Sequence, residues 1–298
     1  MNNLNVDIPG GTYVIAVSGG VDSIVLLDLL AKKPEVKLIV AHFDHGIRPE
    51  SEADRILVQE SALRYQLPFV YDKVNLGAGA SENEARKARY NFLNTVKNAS
   101  EASAIITAHH QDDIIETAIF NILRGTNRKG LSSLKSVDGM LRPITHIDKS
   151  EIYEYAKSQN LVWNEDSTNH DTKYSRNYIR QNLLPKFDAK QRQQLVSIIK
   201  NVGKLNEEID EELTKYIKEN SKNNKLNRAA FVYLPNSVAV EIMATWLRQN
   251  GIRNFDKKLL DRLTIGAKTL YPGQRVDVNI AYFLQINKDN LALIDREC

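Results

Sequence analysis

The chain has 298 residues, 42% hydrophobic and 26% charged, which is the composition of an ordinary globular protein with room for two domains. Its formal net charge of +3 excludes a polycation, so any nucleic-acid binding must depend on local basic clusters. The single cysteine, Cys298, excludes a disulfide framework and cysteine-based zinc or iron–sulfur sites. With no apolar run near ~20 residues and no signal pattern, we expect a cytoplasmic protein without a membrane segment.

The first predicted unit is a strand, a tight turn and a helix. The β-branched run 13–17 is typical of a buried strand, and the apolar positions in 24–30 suit a buried helix. The turn between them reads Ser18-Gly19-Gly20-Val21-Asp22-Ser23. Its glycines allow close approach to a ligand, and unpaired N–H groups at a helix start favour an anion, so we predict a phosphate site. The alternative is a plain packing turn, since neither the Gly-x-x-x-x-Gly-Lys nor the Gly-x-Gly-x-x-Gly motif is present.

Further strands alternate with helices over the next part of the chain. Strands are predicted at 37–43, 69–74, 104–108 and 141–144, and helices begin near Ser51, Ser81, Gln111 and Asp148. This alternation predicts an α/β fold, with a doubly wound, mainly parallel five-stranded sheet. Ligands of such sheets bind at the carboxyl ends of the strands, so we expect Ser18, His42 and His109 to converge on one crevice.

The C-terminal part has a different pattern. A long helix is predicted over 188–220, with the acidic run 207–212 as a solvated face, and the polar stretch 221–225 is a candidate linker. Helices follow at about 238–249 and 256–265, and alternation over 276–284 predicts one strand, paired through a turn with 291–294. We therefore predict an α/β domain at 1–187, a helical connector at 188–221 and a small α+β domain at 222–298.

Acidic and basic side chains cluster near the predicted crevice. Asp113 and Glu116 lie three apart on one helix face beside His109, where two carboxylates can hold Mg²⁺ or the ammonium of a small substrate. Helix capping is the alternative for Asp112, and zinc is disfavoured because His-Glu-x-x-His is absent. Arg86 and Arg89 suit a phosphate clamp or a solvated surface.

A basic stretch with interleaved aromatic residues lies near the end of the first predicted domain. Six Lys or Arg stand against one Asp between Lys173 and Arg192, among Tyr174, Tyr178 and Phe187. This pattern suits a nucleic-acid backbone with unpaired, stacked bases, and an exposed helix at a domain boundary is the alternative.

Taken in order, these stretches resemble the tRNA(Ile)-lysidine synthetase family, of the N-type ATP pyrophosphatase (PP-loop) superfamily. The resemblance covers about 11–185 and is carried by the turn 18–23, His42-Phe43-Asp44-His45-Gly46-Ile47-Arg48, Ala88-Arg89-Tyr90, the stretch 109–117, Leu123-Arg124-Gly125-Thr126 with Gly130-Leu131, Arg142-Pro143-Ile144, Glu165-Asp166-Ser167-Thr168-Asn169, and 176–180 with Leu184-Pro185. The segment from Leu234-Pro235 onward resembles the small following domain less specifically, and Tyr178 stands where an Arg is common. A further C-terminal domain of longer members is expected to be missing.

The resemblance implies an adenine-nucleotide α-hydrolase-like fold and a ligase. Such an enzyme joins free L-lysine to the wobble cytidine of the AUA-reading tRNA(Ile), whose anticodon is CAU, and uses ATP with Mg²⁺. An adenylated cytidine is the intermediate, and AMP and pyrophosphate are released. The last domain would bind tRNA, no membrane is involved, and the oligomeric state stays open, with a homodimer as one option.

The resemblance also implies residue roles. ATP would be bound by Ser18, Gly19, Gly20, Val21, Asp22, Ser23, His42 and Arg48, with Asp22 on Mg²⁺. Lysine would be bound by His109, Asp113 and Glu116, and tRNA by Lys173, Tyr174, Arg176 and Arg180. The catalytic residues would be Asp22, Arg89, Asp113 and Arg176, and His109 is a candidate general base.

Three other functions compete with this one. A tRNA thiolase of the same superfamily would need catalytic or cluster-binding cysteines, and an amidotransferase relative such as GMP synthetase would need a cysteine nucleophile; the chain has only Cys298. A non-catalytic nucleotide- or tRNA-binding module would leave Asp22, Asp113 and Glu116 without a role.

Overall fold

The computed structural model describes residues 4–46, 51–75, 77, 81–126, 128–134, 136–137, 139–165 and 175–296. The chain divides into two compact units, Met1–Gly203 and Lys204–Cys298. The boundary lies inside one long helix, so the three-part division at 187 and 221 stays a prediction. In the described ranges, no helix is long and apolar enough to cross a membrane.

The first unit consists of alternating strands and helices. Its strands are β1 (Gly11–Ala16), β2 (Val36–Asp44), β3 (Phe69–Lys73), β4 (Ala104–Ile106) and β5 (Met140–Leu141). Its helices are α1 (Val21–Ala31), α2 (Ser51–Arg64), α3 (Glu82–Ala99), α4 (Gln111–Leu123), α5 (Arg128–Leu131), α6 (Lys149–Ser158) and α7 (Ser175–Tyr178). A π-helical turn (Ile179–Leu183) and a 3₁₀ turn (Leu184–Lys186) lead into α8 (Ala189–Glu219), which continues into the second unit.

The five strands form one parallel sheet in the order β3-β2-β1-β4-β5. Successive residues of β1 point to opposite faces, and both faces are covered. Ile15 packs in a core with residues of α1, α2 and α6, whereas Val14 packs with Leu93 of α3. The predicted doubly wound sheet is confirmed, and its order changes direction between β1 and β4, where such folds bind ligands.

Local signals placed most element ends correctly. Ser81 forms the predicted capping box with Glu84, and Asp148, the predicted cap of its helix, forms a capping box with Glu151. Ser51 instead stands inside α2 as its first residue, and its hydroxyl donates to Asp44 Oδ2 at 2.8 Å. The fifth strand ends at Leu141 rather than 144, because Pro143 lacks the N–H that would continue the ladder.

The second unit packs helices on an antiparallel sheet. After α8 follow β6 (Ser221–Lys222), β7 (Lys225–Asn227), α9 (Arg228–Val232), α10 (Asn236–Gln249), α11 (Lys257–Thr269), β8 (Arg275–Asp277), β9 (Tyr282–Ile286) and β10 (Asn290–Asp295). The sheet order is β6-β7-β10-β9-β8. Phe231, Trp246 and Leu284 are fully buried in its core, which confirms a small unit of mixed helix and hairpin.

Two predictions for this unit are wrong. The stretch 221–225 is not a linker but part of the β6–β7 hairpin, turned by Asn223 and Asn224, whose φ angles of 51° and 59° suit a two-residue hairpin turn. The predicted strand 276–284 is interrupted because Asn279 Oδ1 accepts hydrogen bonds from the N–H groups of Ala281 and Tyr282, which makes a local turn.

Candidate active site

The turn between β1 and α1 leaves the start of α1 open to an anion. Gly20 is the N-cap, and no side chain caps the helix. Ser23 Oγ accepts from the Ser18 N–H at 3.1 Å and donates to the Gly20 carbonyl at 2.9 Å, so it holds the turn from inside. With no capping side chain, the first helical N–H groups are open to an anion, and the phosphate site itself stays a prediction.

Two residues that sequence reasoning missed brace this turn. Gly19 has φ of +94°, and a Cβ there would lie 3.3 Å from the Cβ of Asp54 on α2, so a larger residue would be strained and crowded. The Asn164 N–H donates to the Gly19 carbonyl at 3.0 Å, and Asn164 Nδ2 donates to Asp54 Oδ1 at 2.8 Å. No local pattern signals this brace, because its members come from three distant stretches.

A cavity of about 410 Å³ opens beside the turn at the carboxyl ends of the strands. Among its lining residues are Ser18, Asp22, Ser23, His42, Arg89 and His109, all predicted from the sequence. Asp54, Asp44, Ser51 and Thr107 line it as well. The predicted convergence of separate strand ends on one crevice is therefore present in the fold.

Asp22 lies in a small group of charged side chains. Lys149, the first residue of α6, places its Nζ 2.5 Å from Asp22 Oδ1. His110 Nε2 lies 3.8 Å from the same oxygen and 3.6 Å from Asp113 Oδ2. The loop carboxylate and the α4 carboxylate thus flank one imidazole, and Lys149 is a contact that the sequence did not signal.

His42 is neutral, and a hydrogen bond to the backbone fixes the orientation of its ring. It is 3% exposed, and its Nδ1–H donates to the Val17 carbonyl at 2.8 Å. Burial lowers the pKa of its ring below the ordinary value, which keeps Nε2 unprotonated. Nε2 has no hydrogen-bond partner within the described residues and can accept one from a ligand.

His109 is neutral for the same reason. Burial lowers its pKa to about 4, with Arg142, Arg89 and Arg86 adding to the shift and Asp113 opposing it. Its Nδ1 lies 2.8 Å from Thr107 Oγ1. A ring with so low a pKa is a weak general base near neutral pH, so it is better suited to accept a hydrogen bond.

The predicted lysine-binding carboxylates contact the predicted tRNA-binding arginines. Glu116 Oε1 accepts from Arg176 Nη1 at 3.2 Å, and Glu116 Oε2 accepts from Arg180 Nη2 at 2.7 Å. Arg180 Nη2 also lies 3.3 Å from Asp113 Oδ1. Burial raises the pKa of Glu116 despite these arginines, whereas nearby His110, His109 and Arg180 outweigh burial and lower the pKa of Asp113.

Some predicted site residues lie outside the described residues. These are Arg48, Lys173 and Tyr174, together with Ile47 and the Asp166-Ser167-Thr168-Asn169 part of the resemblance. Asp112 makes an ion pair with Arg192, 3.0 Å from Nη1 to Oδ1, which suits a structural role at the start of α4.

The donors at Asp22 fit a magnesium ion that arrives with a nucleotide. Mg²⁺ in proteins is commonly held by one or two carboxylates together with substrate phosphates and waters. Asp22 supplies one such carboxylate beside the open helix start, and the described part contains no group of three or more acidic, His or Cys residues for a protein-only metal site.

Comparison with known proteins places the chain in a family. The PP-loop domain family matches residues 1–187. The chain is 38% identical over 193 residues to the tRNA(Ile)-lysidine synthase of Solibacter usitatus, covering 64% of this chain and 44% of that one. It is 32% identical over 275 residues to the enzyme of that name from Thermosipho africanus, covering 87% and 62%. The chain thus spans about half the length of these relatives.

A solved structure shares the fold. The U34-tRNA thiolase NcsA from Methanococcus maripaludis, with its 4Fe-4S cluster, aligns with a TM-score of 0.54 and 18% identity, over 67% of this chain and 74% of that one. This likeness concerns the architecture alone.

Proposed function

The chain belongs to the PP-loop domain family, and we propose on that premise that it ligates L-lysine to the wobble cytidine of the AUA-reading tRNA(Ile). The observation that carries the proposal is the convergence of Asp22, Arg89 and His109 on one cavity beside an open helix start. The relatives named above support lysine and tRNA as the other substrates.

The first step is adenylation of the base. A lone pair of the cytosine C2 oxygen forms a bond to the ATP α-phosphorus, and the bond from that phosphorus to the bridging oxygen breaks, with its electron pair leaving on pyrophosphate. The N–H groups at the start of α1, with the Ser18 hydroxyl, bind the phosphates, and Arg89 offsets their charge. Ser23 supports this site by holding the turn in shape through its bonds to Ser18 and Gly20. Mg²⁺ on Asp22 would supply charge neutralisation at the phosphates.

The second step replaces AMP by lysine. The neutral ε-amine attacks C2, the bond from C2 to the AMP oxygen breaks with its electron pair leaving on AMP, and the amine proton passes to water. Asp113 and Glu116 bind lysine through its ammonium, and Arg176 and Arg180 position the anticodon nucleotide. The chain contributes positioning and electrostatic stabilisation, with no covalent enzyme intermediate.

The test is attachment of radiolabelled lysine to tRNA. The protein is incubated with labelled lysine, ATP, Mg²⁺ and either the CAU-anticodon tRNA(Ile) or the methionine tRNA. We expect label on tRNA(Ile) alone, and AMP release that requires both lysine and tRNA. AMP release without a lysine requirement would support a thiolase instead, and binding without AMP release would indicate a non-catalytic module.

A further inference from the structure

Lys149 stands in a position that helix stability does not explain. It is the first residue of α6, a ten-residue helix, where the helix dipole disfavours a positive charge. Its Nζ nevertheless lies 2.5 Å from Asp22 Oδ1, although the two residues are 127 apart in the chain. The fold therefore places the ammonium of Lys149 beside the turn 18–23.

The surroundings of Lys149 let its ammonium reach a phosphate. Its side chain is 28% exposed, and its Nζ lies 5.1 Å from the centre of the Tyr153 ring, a cation–π contact. Four rotatable bonds give the ammonium a range of several positions. A phosphate bound at the start of α1 would lie next to Asp22 and within that range.

We propose that Lys149 is a further catalytic residue, which contacts the pyrophosphate part of ATP bound at the start of α1 beside Asp22. This inference rests on the proposed function. The contact with Lys149 uses one of the two Asp22 carboxylate oxygens, so Asp22 can hold Mg²⁺ through the other while Lys149 faces the phosphates. Lys149 then stabilises the charge that pyrophosphate gains when the bond to the α-phosphorus breaks.

The competing explanation is an ion pair that only joins α6 to α1. Partly exposed ion pairs add little to stability, so this explanation predicts small, equal effects when either partner is neutralised. A phosphate-binding role predicts effects of opposite sign, because Lys149 attracts a phosphate and Asp22, without a metal, repels it.

The experiment measures binding of inorganic pyrophosphate by calorimetry, with Mg²⁺ removed by chelation. Lys149→Met should weaken binding roughly tenfold, and Lys149→Arg should restore most of it. Lys157→Met is the matched control, since Lys157 is an exposed lysine of the same helix, and should bind as the wild type does. Wild-type affinity in Lys149→Met would overturn the proposal.

A second variant keeps the test decisive if Lys149→Met does not fold. Asp22→Asn removes the repelling carboxylate and leaves Lys149 to the ligand, so it should bind pyrophosphate more tightly than the wild type without Mg²⁺. Unchanged or weaker binding contradicts the proposal. Because neither arm needs lysine or tRNA, failure of the wild type to attach lysine would overturn the proposed function and leave the role of Lys149 standing.

Discussion

At His109, burial rather than hydrogen bonding determines the protonation state. The folded protein holds its pKa at about 4, against an ordinary value of 6.5. The unfolded chain therefore binds a proton as the pH falls below 6.5, whereas the folded protein does so only near 4. A histidine with this shift lowers stability in acid and leaves it unchanged above pH 6.5.

The free energy of unfolding should accordingly decrease between pH 6.5 and 4, by up to roughly 3 kcal/mol from this group. His109→Gln should flatten that part of the profile, measured by urea unfolding at steps of pH. His146→Gln, at an exposed position of the same unit, should keep the wild-type profile. If the free energy of unfolding of His109→Gln decreased between pH 6.5 and 4 as much as that of the wild type, other groups would cause the decrease.

Asp22 should be indispensable for adenylation. Asp22→Ala removes the carboxylate that the turn 18–23 contributes to the cavity, and we expect ATP–pyrophosphate exchange to fall by about 100-fold or more. The unfolding midpoint should change little, since the side chain is partly exposed and its partner Lys149 is too. Full retention of exchange in this variant would refute the role of Asp22.

On the scale of elements, Asp28 of α1 joins three helical segments through one buried carboxylate. It accepts from Tyr65 at 2.5 Å, just after α2, and from Tyr155 of α6 at 2.7 Å. Lys32 Nζ donates to it at 2.7 Å. Burial alone would raise the pKa of Asp28, but these three donors outweigh it and lower the pKa below its ordinary value.

Asp28→Asn should lower the free energy of unfolding by about 2 kcal/mol, because an amide cannot accept all three donors or offset the charge of Lys32. Chemical denaturation at pH 7 measures this. Asp7→Asn, at an exposed position, should be neutral within error. A loss in Asp28→Asn no greater than in this control would mean that packing alone holds the three segments together.

Glu116 of α4 contacts arginines of α7 and of the π-helical turn, so two measurements can distinguish its roles: the KM for lysine and the affinity for tRNA. If Glu116 binds lysine, Glu116→Gln should raise the KM for lysine by about tenfold, the effect of removing one charge-assisted contact. If it mainly holds Arg176 and Arg180, tRNA affinity should fall instead. Glu35→Gln, an exposed site, is the control, and an unchanged KM for lysine shows that Glu116 is misassigned.

At the scale of the whole molecule, a net charge of +3 gives little general attraction for nucleic acid. Binding of tRNA should then depend on a few local cations rather than on overall charge. Arg176→Ala should weaken tRNA binding and reduce the slope of log affinity against log salt by about 1, measured by filter binding from low to high salt. Lys157→Ala is the control and should have the same slope as the wild type. Equal slopes for the wild type and both variants would exclude a phosphate contact by Arg176.

Much of the first unit could be predicted because its signals are local. The strand–turn–helix at β1 and α1 lies within one short stretch, and capping boxes at Ser81 and Asp148 mark helix starts by residues three apart. The second unit was predicted less well because several of its elements are too short to carry a local signal. Short strands such as β6 and β8 carry two or three residues, too few for a periodic pattern to distinguish them from a linker.

The sequence by itself determined the glycine-containing turn 18–23, the parallel sheet around it and the carboxylates of α4, because glycines, apolar periods and spacing act within a few residues. Only the tertiary structure decided that Asn164 and Asp54 brace the turn, that Lys149 contacts Asp22, and that Arg176 and Arg180 contact Glu116. These contacts join residues that are distant in the chain, for example 60 apart for Arg176 and Glu116 and 127 apart for Lys149 and Asp22. They follow from strand order and helix packing, which no local pattern encodes.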